Sequence, residues 1–89
     1  MQLEITIHIW QKGKWYEAHC PELDFVSQGP SPEEARRNLR EVIEIQFEEM
    51  RELGVLEDYL YECGYVKENG ILVSQSEMVG FEKSAVQVA

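Results

Sequence analysis

The stretch CPELDFVSQGPSPEEARRNLREVI, residues 20–43, decides the fold because it joins a β-patterned segment to a long helical one. Ser31 is an N-cap candidate, Pro32 suits the first position of a helix, and Glu34 has the spacing of a capping box. The polar break in this stretch is therefore explained as the start of a helix, and it requires no catalytic chemistry.

Apolar residues continue at helical spacing beyond this start and predict a helix over residues 32–53, which Gly54 ends. A second, short helix is predicted over residues 55–63, followed by Gly64. We expect the apolar stripe of the long helix to pack on one face of a sheet. The stripe comprises Ala35, Leu39, Val42, Ile43, Gln46, Phe47, Met50 and Leu53.

Three strands are predicted before the long helix. Polar and apolar residues alternate over residues 3–10, and residues 15–20 return as a second strand after a turn at residues 12–13. Pro21 ends the second strand because it has no N–H to donate, and residues 25–28 form a short third strand.

The predicted two-residue turn sets the register of the first hairpin. It places Trp10 opposite Trp15 and His8 opposite Glu17. Both tryptophans and both histidines then lie on one face, and the other face is mainly apolar. A slip by one residue would mix the two faces, which favours this sorting. The predicted apolar face consists of Ile5, Ile7, Ile9, Tyr16, Ala18 and Cys20.

The elements after the helices complete the predicted fold. Residues 67–70 are predicted to form a turn, and residues 71–74 and 81–88 to be extended. The fold class is therefore α+β: a small antiparallel β-β-β-α-(α)-β domain with one long helix packed on one face of the sheet. We expect residues 1–89 to form a single domain without an appended DNA-binding domain.

Composition narrows the classes of partner. The 89 residues include 17 Asp and Glu against 8 Lys and Arg, so the net charge of -9 repels nucleic-acid backbones and favours a basic partner. So short a chain buries a small core, and a homodimer or higher homo-oligomer is expected.

The sequence also predicts a cytoplasmic protein. It has two cysteines without CxxC spacing, no signal peptide and no membrane-spanning apolar run.

Two groups of residues are predicted to bind a partner. Trp10 and Trp15 are the first group, because tryptophan is enriched at interface hot spots; the alternative is a cross-strand pair that only stabilises the hairpin. Glu48 and Glu52 represent the second group, an acidic surface that could attract a cationic protein or be merely solvated. The whole acidic group is Glu44, Glu48, Glu49, Glu52, Glu57, Asp58 and Glu62.

Catalysis is a separate hypothesis, in which His8, Glu17 and His19 converge and a His–carboxylate pair acts as a base. Outward histidines on neighbouring strands are more often ordinary surface residues, and no activated nucleophile accompanies them. His19 and Cys20 point to opposite faces of their strand, which argues against a metal site. We therefore predict no enzyme activity, no catalytic residue, no metal and no cofactor.

The order of these features resembles the HicB-like antitoxin family. The resemblance rests on an aromatic-x-x-x-Cys-Pro-Glu-Leu pattern at residues 16–23, a V-S-Q-G strand at residues 26–29 and S-P-E-E-A-x-x-N-L-x-E at residues 31–41. It covers roughly the first half of the chain and implies a partial ribonuclease H-like fold without catalytic carboxylates. Such proteins mask a small basic ribonuclease toxin, HicA, and self-associate. The alternative is a stand-alone homo-oligomeric or ligand-binding domain of the same fold without a toxin partner. The residues after Gly64 lack the family's usual DNA-binding segment.

Overall fold

The computed structural model describes residues 2–89 and confirms the α+β class. The elements are β1 (Gln2–Leu3), β2 (His8–Lys12), β3 (Trp15–Cys20), β4 (Phe25–Gly29), α1 (Pro32–Leu53), α2 (Leu56–Glu62), β5 (Tyr65–Glu68) and β6 (Ile71–Ser74). The strands form two three-stranded sheets, in the orders β2-β3-β4 and β1-β6-β5.

The β2-β3 hairpin forms as predicted, but the predicted register is wrong by two residues. The turn lies at Gly13 and Lys14, and Lys12 pairs with Trp15. Gly13 has a φ of +64°, which suits the first central position of a two-residue hairpin turn. A slip of two positions leaves every side chain on its predicted face, so the sorting of the two faces is confirmed.

The predicted first strand over residues 3–10 is wrong as a single strand. β1 pairs in parallel with β6, β2 pairs with β3, and residues 4–7 link them without a strand ladder. The Glu22 carboxylate accepts hydrogen bonds from Thr6 N at 3.0 and 3.1 Å and from Thr6 Oγ1 at 2.6 Å. The Glu22 side chain thus provides a hydrogen-bond acceptor for the Thr6 backbone N–H where the strand ladder is interrupted.

Helix α1 has the bounds that its sequence predicts. Ser31 is the N-cap and its Oγ accepts a hydrogen bond from Glu34 N at 3.1 Å, while Gly54 ends the helix with a left-handed φ of 74°. The buried residues Ala35, Leu39 and Ile43 recur at helical spacing. α1 therefore lays one stripe on the sheet, as the apolar spacing indicates. The prediction is wrong for Leu53, which was placed in that stripe but is 70% exposed at the end of the helix.

Gly29 allows the start of α1 to lie directly against β4. A Cβ atom at this buried position would lie 2.9 Å from the backbone N of Ala35 and 3.1 Å from Glu34 Cβ. Backbone atoms cannot move aside as a flexible side chain can. Glycine is therefore required here by close packing, and not by a positive φ at this residue.

The core lies between α1 and the β2-β3-β4 sheet and extends under α2 to β5. Ile5, Ile7, Ile9 and Phe47 pack against it from positions that are partly buried, which confirms that the predicted apolar face meets the helix. The fully enclosed set is small. It consists of Ala18, Cys20, Leu23, Ala35, Leu39, Ile43, Leu60 and Tyr65.

The last third of the chain departs most from prediction. β5 was not predicted, and the turn before β6 is confined to residues 69–70, where Asn69 and Gly70 have positive φ. The predicted strand over residues 81–88 pairs with no strand of residues 2–89. Residues 76–89, here called the tail, form no helix, strand, turn or bend, and all of them are exposed. Neither α1 nor α2 combines the length and apolar character that a transmembrane helix needs.

Candidate protein-interaction surface

The side of the β2-β3-β4 sheet that faces away from α1 carries large exposed side chains. Trp10 is 59% exposed, Trp15 is 53% exposed and Val26 of β4 is 51% exposed. Strand alternation and the pairing of β3 with both neighbours place these residues on one side. We call this side the open face. It comprises His8, Trp10, Lys12, Trp15, Glu17, His19, Val26 and Gln28.

The two tryptophans are diagonal neighbours in the half of the open face that adjoins the hairpin turn. Trp10 pairs with Glu17 and Trp15 pairs with Lys12, so the predicted direct Trp10–Trp15 pair is wrong. The other diagonal is an ion pair, with Lys12 Nζ 3.2 Å from Glu17 Oε2. Its two charges cancel, which leaves this half of the open face aromatic and without net charge.

The two histidines are directly paired at the far end of the hairpin. His8 lies opposite His19, and the ring centroids are 6.1 Å apart in an edge-on arrangement. His19 Nε2 lies 3.2 Å from Asp24 Oδ1. The predicted pairing of His8 with Glu17 is wrong because the register differs by two residues. The carboxylate that meets a histidine here comes from Asp24, in the turn after β3, and not from Glu17.

The predicted partner-binding residues fall in two separate regions. Trp10 and Trp15 lie on the open face, whereas Glu48 and Glu52 lie on the exposed side of α1, across the sheet. Glu48 also accepts a hydrogen bond from Arg51 Nη1, so part of its charge is compensated. One small partner could not contact both regions at once without wrapping around the domain.

The Cys-Pro-Glu-Leu segment holds the fold together. Cys20 and Leu23 are 0% and 3% exposed, and burial raises the pKa of the Cys20 thiol to about 11, so the thiol is protonated at neutral pH. The Leu23 carbonyl accepts a hydrogen bond from Tyr59 Oη at 2.9 Å, which ties α2 to the turn after β3. Burial of Tyr59 raises the pKa of its phenol to about 12.

Glu22 in the same segment has a role that sequence reasoning missed. Burial alone would raise the pKa of Glu22, but the hydrogen bonds from the Thr6 side chain and backbone outweigh it and lower that pKa below its usual value. The signal available in the sequence was an acidic residue in a short turn directly after a buried strand. Its partner, Thr6, could not be identified without the break between β1 and β2.

A cavity of about 280 Å³ lies beside the histidine end of the open face, between the β1-β2 link and the start of the tail. Its lining includes Thr6, His8, Glu22, Cys63 and Met78. Among the described residues, His8 Nε2 is enclosed without a hydrogen-bond partner. The lining combines polar, charged and apolar side chains and does not indicate a class of ligand. The open face is therefore the better candidate for a functional site.

No protein-family model, curated protein or solved structure matches this chain.

Proposed function

We propose that this protein is an antitoxin-type interaction module of HicB-like kind, which binds and masks a small basic ribonuclease of HicA type. The observation that carries the proposal is the open face, where Trp10 and Trp15 are both more than half exposed on a regular antiparallel sheet. Exposed apolar patches mark interaction sites, and tryptophan is over-represented among residues that dominate binding energy. Masking needs such a rigid surface and no catalytic group.

The charge distribution supports a cationic partner. The chain carries a net charge of -9, and the exposed sides of α1 and α2 are rich in acid, while the part of the open face around Trp10 and Trp15 is neutral. A basic protein is attracted over long distances by the net charge and then meets an aromatic surface at short range. Charge therefore accounts for the rate of association, and the tryptophans account for the lifetime of the complex.

The segments that carry the family resemblance are the ones that build this surface. Cys20 and Leu23 are buried, Gly29 admits the start of α1, and Ser31 caps that helix. They hold the sheet against α1 and so keep its opposite side flat and exposed. The resemblance therefore concerns residues that build the fold. It supports the proposal because this fold keeps the open face exposed.

Binding to a HicA-type ribonuclease encoded beside the gene tests the proposal. Titration calorimetry with the purified proteins should show a complex, and the complex should suppress RNA cleavage. Trp10→Ala and Trp15→Ala should each raise Kd by about 30-fold or more, the effect of losing a hot-spot residue. Ile45→Ala is the matched control, because Ile45 is 63% exposed but lies on α1, and its Kd should not change.

The acidic surface is tested separately by kinetics. A Glu48→Gln and Glu52→Gln double variant should lower the association rate constant and its salt dependence, with the dissociation rate unchanged. The proposal is wrong if the neighbouring genes encode no small basic ribonuclease, or if both tryptophan variants bind and inhibit the toxin as the unaltered protein does.

A further inference from the structure

The chain exposes far more surface than a compact monomer of its size. Its accessible surface is 7121 Å², whereas a folded monomer of 10.4 kDa exposes roughly 5,400 Å². Its radius of gyration is 15.4 Å, against about 12 Å for a compact domain of 89 residues. The tail contributes to this difference because all of its residues are exposed, and the longest dimension of the molecule is 48 Å.

The tail has the chemistry of a strand but no partner strand in the described chain. Residues 81–88 contain no proline or glycine and include Phe81, Val86 and Val88, which are 93%, 83% and 94% exposed. β-branched and aromatic residues favour strands, and a lone strand is not stable in water. An apolar strand of this kind is a template for pairing with another sheet edge.

The outer edge of β2 is a sheet edge that can accept such a strand. The Gln28 carbonyl accepts a hydrogen bond from Asn38 Nδ2 at 2.9 Å, so it points away from β3 and its pair with Glu17 is of the non-hydrogen-bonded type. Glu17 therefore exchanges its backbone hydrogen bonds with Trp10 of β2. By alternation, the N–H and C=O groups of Ile9 and Gln11 point outward from the β2 edge, where no described strand pairs with them.

The β4 edge is less suitable because the Asn38 side chain already occupies the Gln28 carbonyl there. A ladder along β4 would have to displace that hydrogen bond. Among the described residues, no side chain donates a hydrogen bond to a backbone carbonyl on the outer edge of β2. The apolar residues Ile9 and Trp10 lie beside the outward backbone groups of this edge. A strand added there would extend the β2-β3-β4 sheet to four strands.

The charge on residues 81–88 permits a second copy of this chain to be the source of that strand. Glu82 and Lys83 cancel, so residues 81–88 are neutral and the net charge of -9 lies on the remainder. Two acidic bodies repel each other, but a neutral segment approaches an acidic body without that penalty. The exposure of Val79 and Phe81, 94% and 93%, shows that the tail does not cover its own β2 edge.

We propose that two copies of the chain exchange tails, with residues 81–88 of each copy adding a fourth strand to the β2 edge of the other. The exchange is reciprocal and gives a closed two-fold dimer. It places the fourth strand beside the open face and leaves both tryptophans accessible. The dimer is therefore independent of toxin binding and can form whether or not a toxin exists.

Sedimentation velocity of the full chain, over a wide range of protein concentrations, tests the exchange together with amide hydrogen exchange. We expect a dimer whose alternate amides in residues 81–88 are protected, and a dimer that tightens as salt screens the repulsion between the bodies. A monomer at every concentration overturns the proposal. So does a monomer with protected tail amides, because that result means that the tail pairs with its own β2.

Proline variants separate the two sides of the proposed contact. Ala85→Pro and Val86→Pro change adjacent residues whose N–H groups point to opposite sides of the added strand, so one of the two variants removes an N–H that bonds to β2 and should abolish the dimer. Val79→Pro, which lies before that segment and is 94% exposed, should retain the dimer. Gln11→Pro removes an outward N–H from the β2 edge and should also give a monomer, with circular dichroism confirming that the body is folded. A dimer that persists in both Ala85→Pro and Val86→Pro, or that is lost equally in Val79→Pro, overturns the proposal.

Discussion

The hairpin and helix unit, residues 8–54, and the tail, residues 76–89, both carry β-branched and aromatic residues in extended-type patterns, yet only the first is packed. β2 finds its partner two residues away, beyond a turn that Gly13 permits. The tail pairs with no strand among residues 2–89. Residues with strand propensity therefore form a strand only where another strand edge can pair with them, in the same molecule or in another.

The largest contrast is expected from removal of apolar atoms in each region. Leu39→Ala empties a position that is 0% exposed and should lower the free energy of unfolding by about 2 to 5 kcal/mol. Val79→Ala, at 94% exposure in the tail, should change it by less than about 0.5 kcal/mol. Urea unfolding followed by circular dichroism measures both. A loss at Val79 equal to that at Leu39 would show that the tail packs on the body in solution.

A smaller contrast is expected between two glycines. Gly29→Ala places a Cβ atom 2.9 Å from the Ala35 backbone N, so α1 must shift away from β4 and the free energy of unfolding should fall by about 1 to 3 kcal/mol. Gly80→Ala meets nothing within 4 Å and should be neutral. Thermal unfolding compares them. An unchanged melting temperature for Gly29→Ala would mean that the helix does not approach β4 as closely as described.

The smallest contrast concerns two glutamates and depends on pH. Thr6 stabilises ionised Glu22, so the folded pKa of Glu22 lies below its usual value of 4.5. The unfolded chain therefore takes up this proton at higher pH. The resulting stability is complete above pH 4.5 and is lost as pH falls through the lowered folded pKa.

Glu22→Gln should consequently lower the free energy of unfolding by about 1 kcal/mol at neutral pH, since the carboxylate is partly exposed and its hydrogen bonds are screened. The difference from the unaltered protein should shrink in acid. Glu82→Gln in the tail is the control and should show neither effect. Urea unfolding at neutral pH and again below pH 4.5 measures the change. A Glu22→Gln deficit that stays constant with pH would exclude the carboxylate of Glu22 as its source.

Sequence reasoning succeeded where the structure is determined locally. The bounds of α1 follow from Ser31, Pro32 and Gly54, because a helix supplies its own backbone hydrogen bonds and its ends depend on capping residues. The hairpin faces were correct because a period of two fixes which side a residue occupies. The register was not correct, since the same period is unchanged by a slip of two residues, and the turn at Gly13 and Lys14 decided it.

Interactions between distant parts of the chain could not be read from the sequence. The break between β1 and β2 depends on β6 and on Glu22, neither of which has a local signature that identifies its partner. For the candidate surface, the position of Trp10 and Trp15 on one exposed face was predictable from alternation. The separation of these residues from Glu48 and Glu52 was visible only once the helix and sheet had been placed in layers.

The parallel pairing of β1 with β6 has a consequence for the order in which the chain acquires its structure. Gln2 is synthesised before both helices, and Ile71, its partner, is synthesised only after them. The hairpin and α1 can form early from contacts close in sequence, whereas β1 must wait until β6 has left the ribosome. During that interval β1 has no partner strand.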